Sequence, residues 1–256
     1  MHRTSFLDHE FAPDSELINA YHFTVTDDFD YSQIKAVVER AEHWKIEING
    51  NEVKPTEGEW WIDVDFGVVP IGPYVKKGIN TITTSVSPMT VHHETMPIYI
   101  LGDFTVNPAQ IGFEIGKPHE NPLKLGSWKD QKMPFYSHGV TYTRSFDIKE
   151  KMTQYVVELD NWNGTVAAIY INNEEAGIIG WPPYRLNVTE KIKEGENKVE
   201  VKVIGSFKNL FGNFYVEARG QINPSLMKRA PEEQPTPEEF DLFDYGLFGD
   251  LRLLGQ

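Results

Sequence analysis

The chain has 256 residues, a formal net charge of −14 and no cysteine. The acidic balance and the lack of a basic stripe argue against nucleic-acid and membrane-surface partners. The missing cysteines exclude disulfides, thiolate metal sites and cysteine nucleophiles. Apolar residues make up 40% of the chain and aromatic residues 12%, which is typical of a packed globular protein. Neutral ligands such as sugars are the class that this composition favours.

Short runs rich in Val, Ile, Tyr and Thr alternate between apolar and polar residues and are separated by turn residues. This period-two alternation predicts antiparallel strands. No long segment carries a 3.6-residue apolar repeat, and sixteen prolines interrupt the remainder, so we expect little helix. The predicted fold class is all-β. The strand-like runs cover residues 21–26, 34–39, 44–48, 79–86, 140–148, 155–159, 166–171 and 198–203.

An internal repeat organises these strands into two copies. Four landmarks keep their order in both: a Val-Val-Glu triplet, an Asn-Gly or Asn-Asn pair, a Gly-x-Asn triplet and a Gly-Asp pair. The Asn pairs supply the positive φ angles of tight hairpin turns. We therefore expect two copies of one sandwich in tandem. The landmarks stand at residues 37–39 and 156–158, 49–50 and 172–173, 78–80 and 195–197, and 102–103 and 249–250.

The repeat also predicts the domain boundaries. A first β-sandwich over residues 1–110 is followed by a linker over 111–125, where Pro, Gly and polar residues cluster. A second β-sandwich covers 126–256. The interval before the last landmark is longer in the second copy, and it contains an acidic, proline-rich stretch. This difference predicts a surface insertion at about residues 205–240.

The second copy resembles a known sugar-binding domain. The aromatic-x-Arg-x-Phe run at residues 142–146, the hairpin at 166–177, the turn and strand at 182–201 and the closing run at 246–253 occur in its order. The chain is thus similar to the jelly-roll sugar-binding domain of glycoside hydrolase family two, in the galactose-binding-like superfamily. Asn173 replaces the usual hairpin glycine. The whole tandem resembles the C-terminal region of large bacterial enzymes of the α-L-rhamnosidase-like type.

The resemblance implies two tandem jelly rolls that act as a non-catalytic carbohydrate-binding or structural accessory region of a glycoside hydrolase acting on plant or host glycans. The family's catalytic barrel, with its paired glutamates, has no counterpart in this chain. The alternative is that the chain forms part of a glycosidase active site completed by an upstream catalytic domain. The expected partners are an oligo- or polysaccharide and that upstream domain. We expect an extracytoplasmic location in a bacterium, although the opening residues contain no signal peptide.

Aromatic residues beside polar ones are the candidate ligand contacts, because sugars stack their C–H faces on Trp and Tyr rings while amides and carboxylates bind their hydroxyls. The preferred site is Asp160, Trp162 and Asn163, in a polar turn that is longer than its counterpart in the first copy. We expect Trp162→Ala to weaken glycan binding by about 1–3 kcal/mol without unfolding the protein. The further candidates are Trp128, Tyr136 and Trp181.

Other site chemistry is poorly supported. The pair Asp63 and Asp65 shares one strand face, which is typical of a solvent-facing surface rather than of a glycosidase acid and base. The eight histidines lack metal-ligand spacing, and no serine lies in a nucleophile elbow. We therefore expect no catalytic residue and no cofactor. A structural calcium ion bound by loop carbonyls and carboxylates stays open.

Overall fold

A computed structural model of the chain describes residues 11–213 and 234–256. The described chain divides into two compact units. The first contains the residues up to Asn107 together with Phe113–Glu120, and the second contains Pro108–Gly112 and the described residues from Asn121 onward. No helix in the described ranges is long and apolar enough to cross a membrane.

The described residues form an all-β fold with only short helical turns. The strands are β1 Leu17–Val25, β2 Lys35–Glu39, β3 Lys45–Ile48, β4 Asn51–Val53, β5 Trp60–Trp61, β6 Asp63–Pro70, β7 Gly78–Val86, β8 Tyr99–Leu101, β9 Thr105–Pro108, β10 Phe113–Gly116, β11 Gly139–Ile148, β12 Tyr155–Glu158, β13 Trp162–Asn163, β14 Val166–Ile171, β15 Glu174–Ile179, β16 Arg185–Asn187, β17 Gly195–Ile204, β18 Gly246–Leu247 and β19 Arg252–Gly255. A single α-helical turn spans Lys208–Phe211, and 3₁₀ turns span Ala41–His43, Gly72–Tyr74, Lys129–Gln131, Thr189–Lys191 and Pro237–Glu239.

The first unit is built from two sheets, one of six strands in the order β4-β3-β7-β1-β10-β9 and one of four in the order β5-β6-β2-β8. Side chains from both sheets meet in one apolar cluster, for example Val38 of β2, Ile46 of β3 and Ile82 of β7. Burial alternates along β7, as expected for a strand with one face toward a core.

The second unit has a four-stranded sheet in the order β11-β17-β14-β15 and a three-stranded sheet in the order β16-β12-β19, and β13 pairs with β18. Its core includes Val157 of β12, Ile169 of β14 and Val201 of β17, each at most 1% exposed. Alternate residues of β17 point into this core. The core therefore lies between strands of different sheets, as it does in the first unit.

The two units share a strand order. β4-β3-β7-β1 of the first unit corresponds to β15-β14-β17-β11 of the second, and β6-β2-β8 corresponds to β16-β12-β19. Each of the eight predicted runs overlaps a strand of this scheme, and the all-β prediction is confirmed. The hairpin prediction also holds, because Asn49, Gly50, Asn172 and Asn173 all have positive φ. The jelly-roll assignment stays a prediction.

The fourth landmark of the repeat does not occupy equivalent positions. In the first unit Gly102 and Asp103 follow β8, the strand that pairs with β2. In the second unit Gly249 and Asp250 precede β19, the strand that pairs with β12. A match of one Gly-Asp pair among apolar neighbours is too short to fix a register, whereas the strand pairing fixes the register residue by residue.

The predicted linker at 111–125 includes the strand β10, and its bounds stay a prediction. Ile115 of β10 is buried and pairs in parallel with Val25 of β1. Phe113 and Ile115 are two residues apart, which is the spacing of side chains on one face of a strand. Of the predicted insertion at 205–240, residues 214–233 lie outside the described residues. Asn209, in its first described part, is 2% exposed and bonds to the backbone N and O of Phe243, which lies just after the insertion.

Candidate functional site

The preferred sequence candidates lie on a connection between β12 and β14, which we call the rim loop (residues 160–165). Its short strand β13 pairs with β18, with Trp162 opposite Leu247. Asn163 donates from Nδ2 to the carbonyl oxygen of Asp244 at 2.6 Å. The carbonyl oxygen of Asn161 accepts hydrogen bonds from two successive backbone N–H groups, at 2.9 and 3.0 Å. The rim loop is therefore held against the chain that leads into the last strand.

A cluster of two carboxylates and two guanidinium groups lies at the start of the rim loop. The strand β12 ends at Glu158, and β16 and β19 flank it in register, so that Arg185 and Arg252 stand opposite the Glu158 side chain. Arg185 donates from Nε to Glu158 Oε1 at 2.6 Å. Arg252 lies 3.2 Å from Glu158 Oε2 and 2.5 Å from Asp160 Oδ2. One guanidinium thus bridges Glu158 and Asp160.

Trp162 is packed more closely than the sequence suggests. Its ring is half-buried against the core of the second unit, and it meets the Tyr184 ring edge-on, with centroids 5.4 Å apart. The Nε1 donor of Trp162 is buried, with no hydrogen-bond partner among residues 11–213 and 234–256. The Trp162 ring therefore supports the rim loop from the side of the core, and only part of the ring is exposed to solvent.

Among the described residues of the second unit, Trp181 is the most exposed aromatic residue. Its side chain is 73% exposed, and the nearby Tyr184 is 36% exposed. The carbonyl oxygen of Tyr184 accepts a hydrogen bond from the backbone N–H of Leu159 at 3.0 Å, which ties this segment to the end of β12. Tyr184 thus belongs to the same rim as Asp160 and Trp162, and Trp181 precedes it by three residues in the chain.

Two of the predicted ligand contacts lie inside the second unit. Trp128 is 1% exposed, and its Nε1 donates to the Tyr142 hydroxyl at 2.8 Å. Tyr136 is half-buried, packs edge-on against the Trp128 ring and donates to the Gly139 carbonyl oxygen at 3.3 Å, and burial raises the pKa of its phenol. At 1% exposure Trp128 has no ring face open to solvent, so its predicted ligand contact gains no support from the structure and stays a prediction. Tyr136 stays a weaker candidate for the same reason.

Sequence reasoning missed Tyr184, Glu158, Arg185 and Arg252. The three charged residues lie on different strands, far apart in sequence, and only the pairing of β12 with β16 and β19 brings them together. Alternation predicts which face of a strand a residue occupies but not which strand lies beside it. Tyr184 follows two prolines, which predict an extended segment but not a ring that reaches the rim.

Metal binding finds no support in the described parts of the chain, where no group of three or more His, Asp or Glu side chains is arranged to hold an ion. The carboxylates of the rim are already engaged by arginine. The paired carboxylates Asp63 and Asp65 of β6 are both exposed, as expected for a solvent-facing strand surface.

Comparison with known proteins relates about half of the chain to one long protein. No family model matches the sequence. The chain is 29% identical over 136 residues to a putative beta-glucuronidase of Formosa agariphila, a match that covers 51% of this chain and 12% of that protein. The chain therefore spans only a small fraction of the length of this relative.

Solved structures with partial similarity include two rhamnosidases and one other glycoside hydrolase. The rhamnosidase of Novosphingobium sp. PP1Y matches with a TM-score of 0.38 and 17% identity, over 94% of this chain and 25% of that one. The Streptomyces avermitilis alpha-L-rhamnosidase matches with a TM-score of 0.30 and 12% identity, over 75% and 22%. A glycosyl hydrolase family 2 member of Bacteroides cellulosilyticus matches with a TM-score of 0.23 and 13% identity, over 80% and 27%.

Proposed function

We propose that this chain is a non-catalytic carbohydrate-binding region of a glycoside hydrolase. The observation that carries the proposal is the rim of the second unit, where the open ring of Trp181 stands close in sequence to Tyr184 and the rim loop supplies amide and carboxylate groups. Aromatic rings offer stacking surfaces for the C–H faces of a sugar, and the polar groups offer hydrogen bonds to its hydroxyls.

The sequence similarity to a putative beta-glucuronidase supports the assignment to a glycoside-degrading enzyme. The proposed partners are a plant or host glycan and a catalytic domain of the same polypeptide, at an extracytoplasmic site in a bacterium. Binding is favoured over hydrolysis, because a glycosidase needs one carboxylic acid that delivers a proton and a second carboxylate that acts on the sugar. Glu158 and Asp160 instead share the Arg252 guanidinium, and Arg185 holds Glu158 from the other side.

A second candidate function is that the rim completes the active site of a neighbouring catalytic domain. The observation that favours it is the charged cluster itself. Arg252 remains 43% exposed at its side chain while it contacts two carboxylates. A partly exposed guanidinium is a ready contact for an anionic sugar such as a uronic acid. In this case the rim would bind the substrate of the enzyme rather than a distant part of the polymer.

The test is a titration of the chain with a panel of soluble plant and host polysaccharides, followed by intrinsic tryptophan fluorescence and calorimetry. Neutral and uronic-acid-containing glycans are compared at equal mass concentration. We expect saturable binding, and we expect Trp181→Ala to weaken it about tenfold or more. The matched control is Ile178→Ala, which removes an exposed apolar side chain of the same unit.

The two candidate functions give different results in this titration. Preference for uronic-acid glycans that is lost in Arg252→Gln supports the active-site function. Preference for neutral glycans that survives Arg252→Gln supports the binding region. No binding by a folded chain across the whole panel would contradict the carbohydrate-binding proposal and leave a structural accessory.

A further inference from the structure

The hairpin of β5 and β6 in the first unit occupies the place that the Trp181 segment has in the second unit. β6 pairs with β2 as β16 pairs with β12. In the first unit Glu39, at the end of β2, stands opposite Phe66 of β6. In the second unit Glu158, at the end of β12, stands opposite Arg185 of β16. The start of β6 is therefore equivalent to the residues that precede β16.

A backbone hydrogen bond supports this equivalence. In the second unit the Leu159 N–H donates to the Tyr184 carbonyl oxygen at 3.0 Å, and in the first unit the Arg40 N–H donates to the Asp65 carbonyl oxygen at 2.6 Å. Each donor directly follows the glutamate of its unit, and each acceptor directly precedes the residue opposite that glutamate. The β5–β6 hairpin, which we call the tryptophan hairpin (residues 60–65), is thus held by the same contact that holds Tyr184 at the rim.

The tryptophan hairpin presents the ring of Trp60, which is 54% exposed. Trp60 pairs with Gly67 across the hairpin. Asp65 lies two residues before Gly67 on β6, so Trp60 and Asp65 share one face of the sheet. Arg40 lies beside Asp65, with its Nε 3.7 Å from Asp65 Oδ2. This face therefore places an exposed aromatic ring next to a carboxylate and a guanidinium group.

The backbone that carries Trp60 is well anchored. A single residue, Ile62, connects the two strands, since Trp61 stands opposite Asp63. The Trp61 ring packs against the Tyr99 ring, with centroids 5.6 Å apart. A binding group on an ordered backbone loses little conformational entropy when a ligand binds. The position of Trp60 on the sheet is therefore set before any ligand arrives.

The residue at the tip of the tryptophan hairpin is a second observation that indicates a ligand contact. Ile62 has a φ of 68°, in the left-handed region that favours glycine. A β-branched residue is strained in this region, and such strain clusters at functional sites. In place of the glycine that would relieve the strain, the turn carries an apolar side chain that is 38% exposed. Ile62 thus adds apolar surface two residues from Trp60.

The charges of the tryptophan hairpin differ from those of the rim in the second unit. Asp63 and Asp65 are both exposed, and Arg40 is placed to offset only one of these two charges. Phe66 stands where the second unit has Arg185. The hairpin therefore carries a net negative charge, which repels an anionic sugar such as a uronic acid. A neutral sugar meets no such repulsion.

We propose that the tryptophan hairpin is a second carbohydrate-binding site and that it takes a neutral glycan. The Trp60 ring stacks on the C–H face of a sugar, while Asp65 accepts hydrogen bonds from its hydroxyls and Arg40 donates to them. The class of ligand rests on the proposed function, whereas the position of the site and its selection against anionic sugars rest on the first unit alone.

The experiment is calorimetric titration of the full chain with cellohexaose, xylohexaose and mannohexaose as neutral probes and hexagalacturonic acid as the anionic probe. The Trp181→Ala variant isolates the first unit. We expect a neutral probe to bind this variant, and we expect Trp60→Ala in the same background to weaken that binding at least tenfold. The matched control is Tyr74→Ala, which removes a 41% exposed aromatic ring from the turn after β6 and leaves binding unchanged.

The same titrations separate this site from the rim of the second unit. Binding that Trp181→Ala leaves intact and Trp60→Ala abolishes supports the tryptophan hairpin and contradicts the rim. Loss of all binding in folded Trp181→Ala overturns the hairpin site and leaves the rim as the binding surface. Binding that survives in the folded double variant of Trp60 and Trp181 refutes both surfaces. Equal binding of hexagalacturonic acid by Trp181→Ala would overturn the assignment to a neutral ligand.

Discussion

Asn172 donates from its Nδ2 to Oδ1 of the fully buried Asn197 at 3.1 Å. The Asn197 side chain also accepts from the Lys193 backbone N–H at 3.0 Å and donates to the carbonyl oxygens of Lys193 and Gly195. One amide thereby ties the hairpin turn of Asn172 to the turn that begins β17. Asn49 and Asn80 form the same arrangement in the first unit, with an Nδ2–Oδ1 distance of 2.9 Å.

Asn197→Ala should destabilise the second unit by about 3 kcal/mol, because it removes a fully buried amide that bonds to Asn172 and to the backbone of Lys193 and Gly195. Asn121→Ala, an exposed asparagine of the same unit, should change stability by less than about 0.5 kcal/mol. Amide hydrogen exchange of β17 measures the effect in this unit separately from the other. Equal protection of β17 in both variants would contradict the structural role of Asn197.

The equivalent glutamates should respond in opposite directions when their charge is removed. The pKa of Glu39 is raised in the folded state, so the folded chain binds the proton more tightly than the unfolded chain. Its contribution to stability is therefore greatest below the unfolded pKa and falls as pH rises through the folded pKa. Glu39→Gln should raise the melting temperature at pH 7 and leave it unchanged at about pH 3.

Glu158→Gln should destabilise the second unit at pH 7 by about 1 kcal/mol, since it weakens the contacts with two arginines that are themselves partly exposed. Thermal unfolding of both glutamate variants at the two pH values measures this contrast. A loss of stability at pH 7 in Glu39→Gln would show that its carboxylate has a partner of its own.

Substitution of Trp162 should mainly lower the stability of the second unit, whereas substitution of Trp181 should mainly weaken glycan binding. Trp162→Ala removes a half-buried ring from the core of the second unit and should cost about 2–3 kcal/mol of unfolding free energy. A loss of this size still leaves a typical domain folded, so the expectation that the substitution does not unfold the protein stands as a prediction. Trp181→Ala removes an exposed ring and should change stability by less than about 0.5 kcal/mol. Urea denaturation followed by circular dichroism measures both values.

A single substitution in the hairpin turn should increase the stability of the second unit. Asn173 has a φ of 69°, and the equivalent residue of the first unit is Gly50, with a φ of 81°. Asn173→Gly should stabilise the second unit by a few tenths of a kcal/mol, whereas Asn173→Ala should destabilise it by about 1 kcal/mol. Thermal denaturation distinguishes the two outcomes. Destabilisation by glycine would mean that the Asn173 contact with Lys198 at 3.2 Å outweighs the backbone strain.

The sequence was sufficient to predict the features that depend on local order. Period-two alternation located eight strands, and the asparagine pairs located two tight turns with positive φ. The repeat also identified Val37 and Val156 as equivalent, and both lie on strands at the same place in their sheets. These features follow from residues that are neighbours in the chain.

The features that the sequence could not predict depend on contacts between distant residues. Trp128 and Trp181 are both Trp beside turn residues, yet one is 1% exposed and the other 73%. The difference arises because Trp128 packs not only on the nearby Tyr136 but also on Tyr245, a ring that follows all the strands of the four-stranded sheet. The clusters around Glu158 and Glu39 likewise depend on which strand lies beside which.

The pairing of β12 with β19 also constrains how the second unit can fold. β12 ends at Glu158, and the strand that covers one of its edges begins only at Arg252. Until that last segment docks, β12 has an open edge with unpaired backbone groups, which is a template for pairing with another chain. The chain between Glu158 and Arg252 loses conformational entropy before β12 and β19 make any contact that compensates for it. The pairing of these two strands is therefore a slow step in folding. The half-folded second unit, rather than the native chain, is therefore the species most exposed to aggregation.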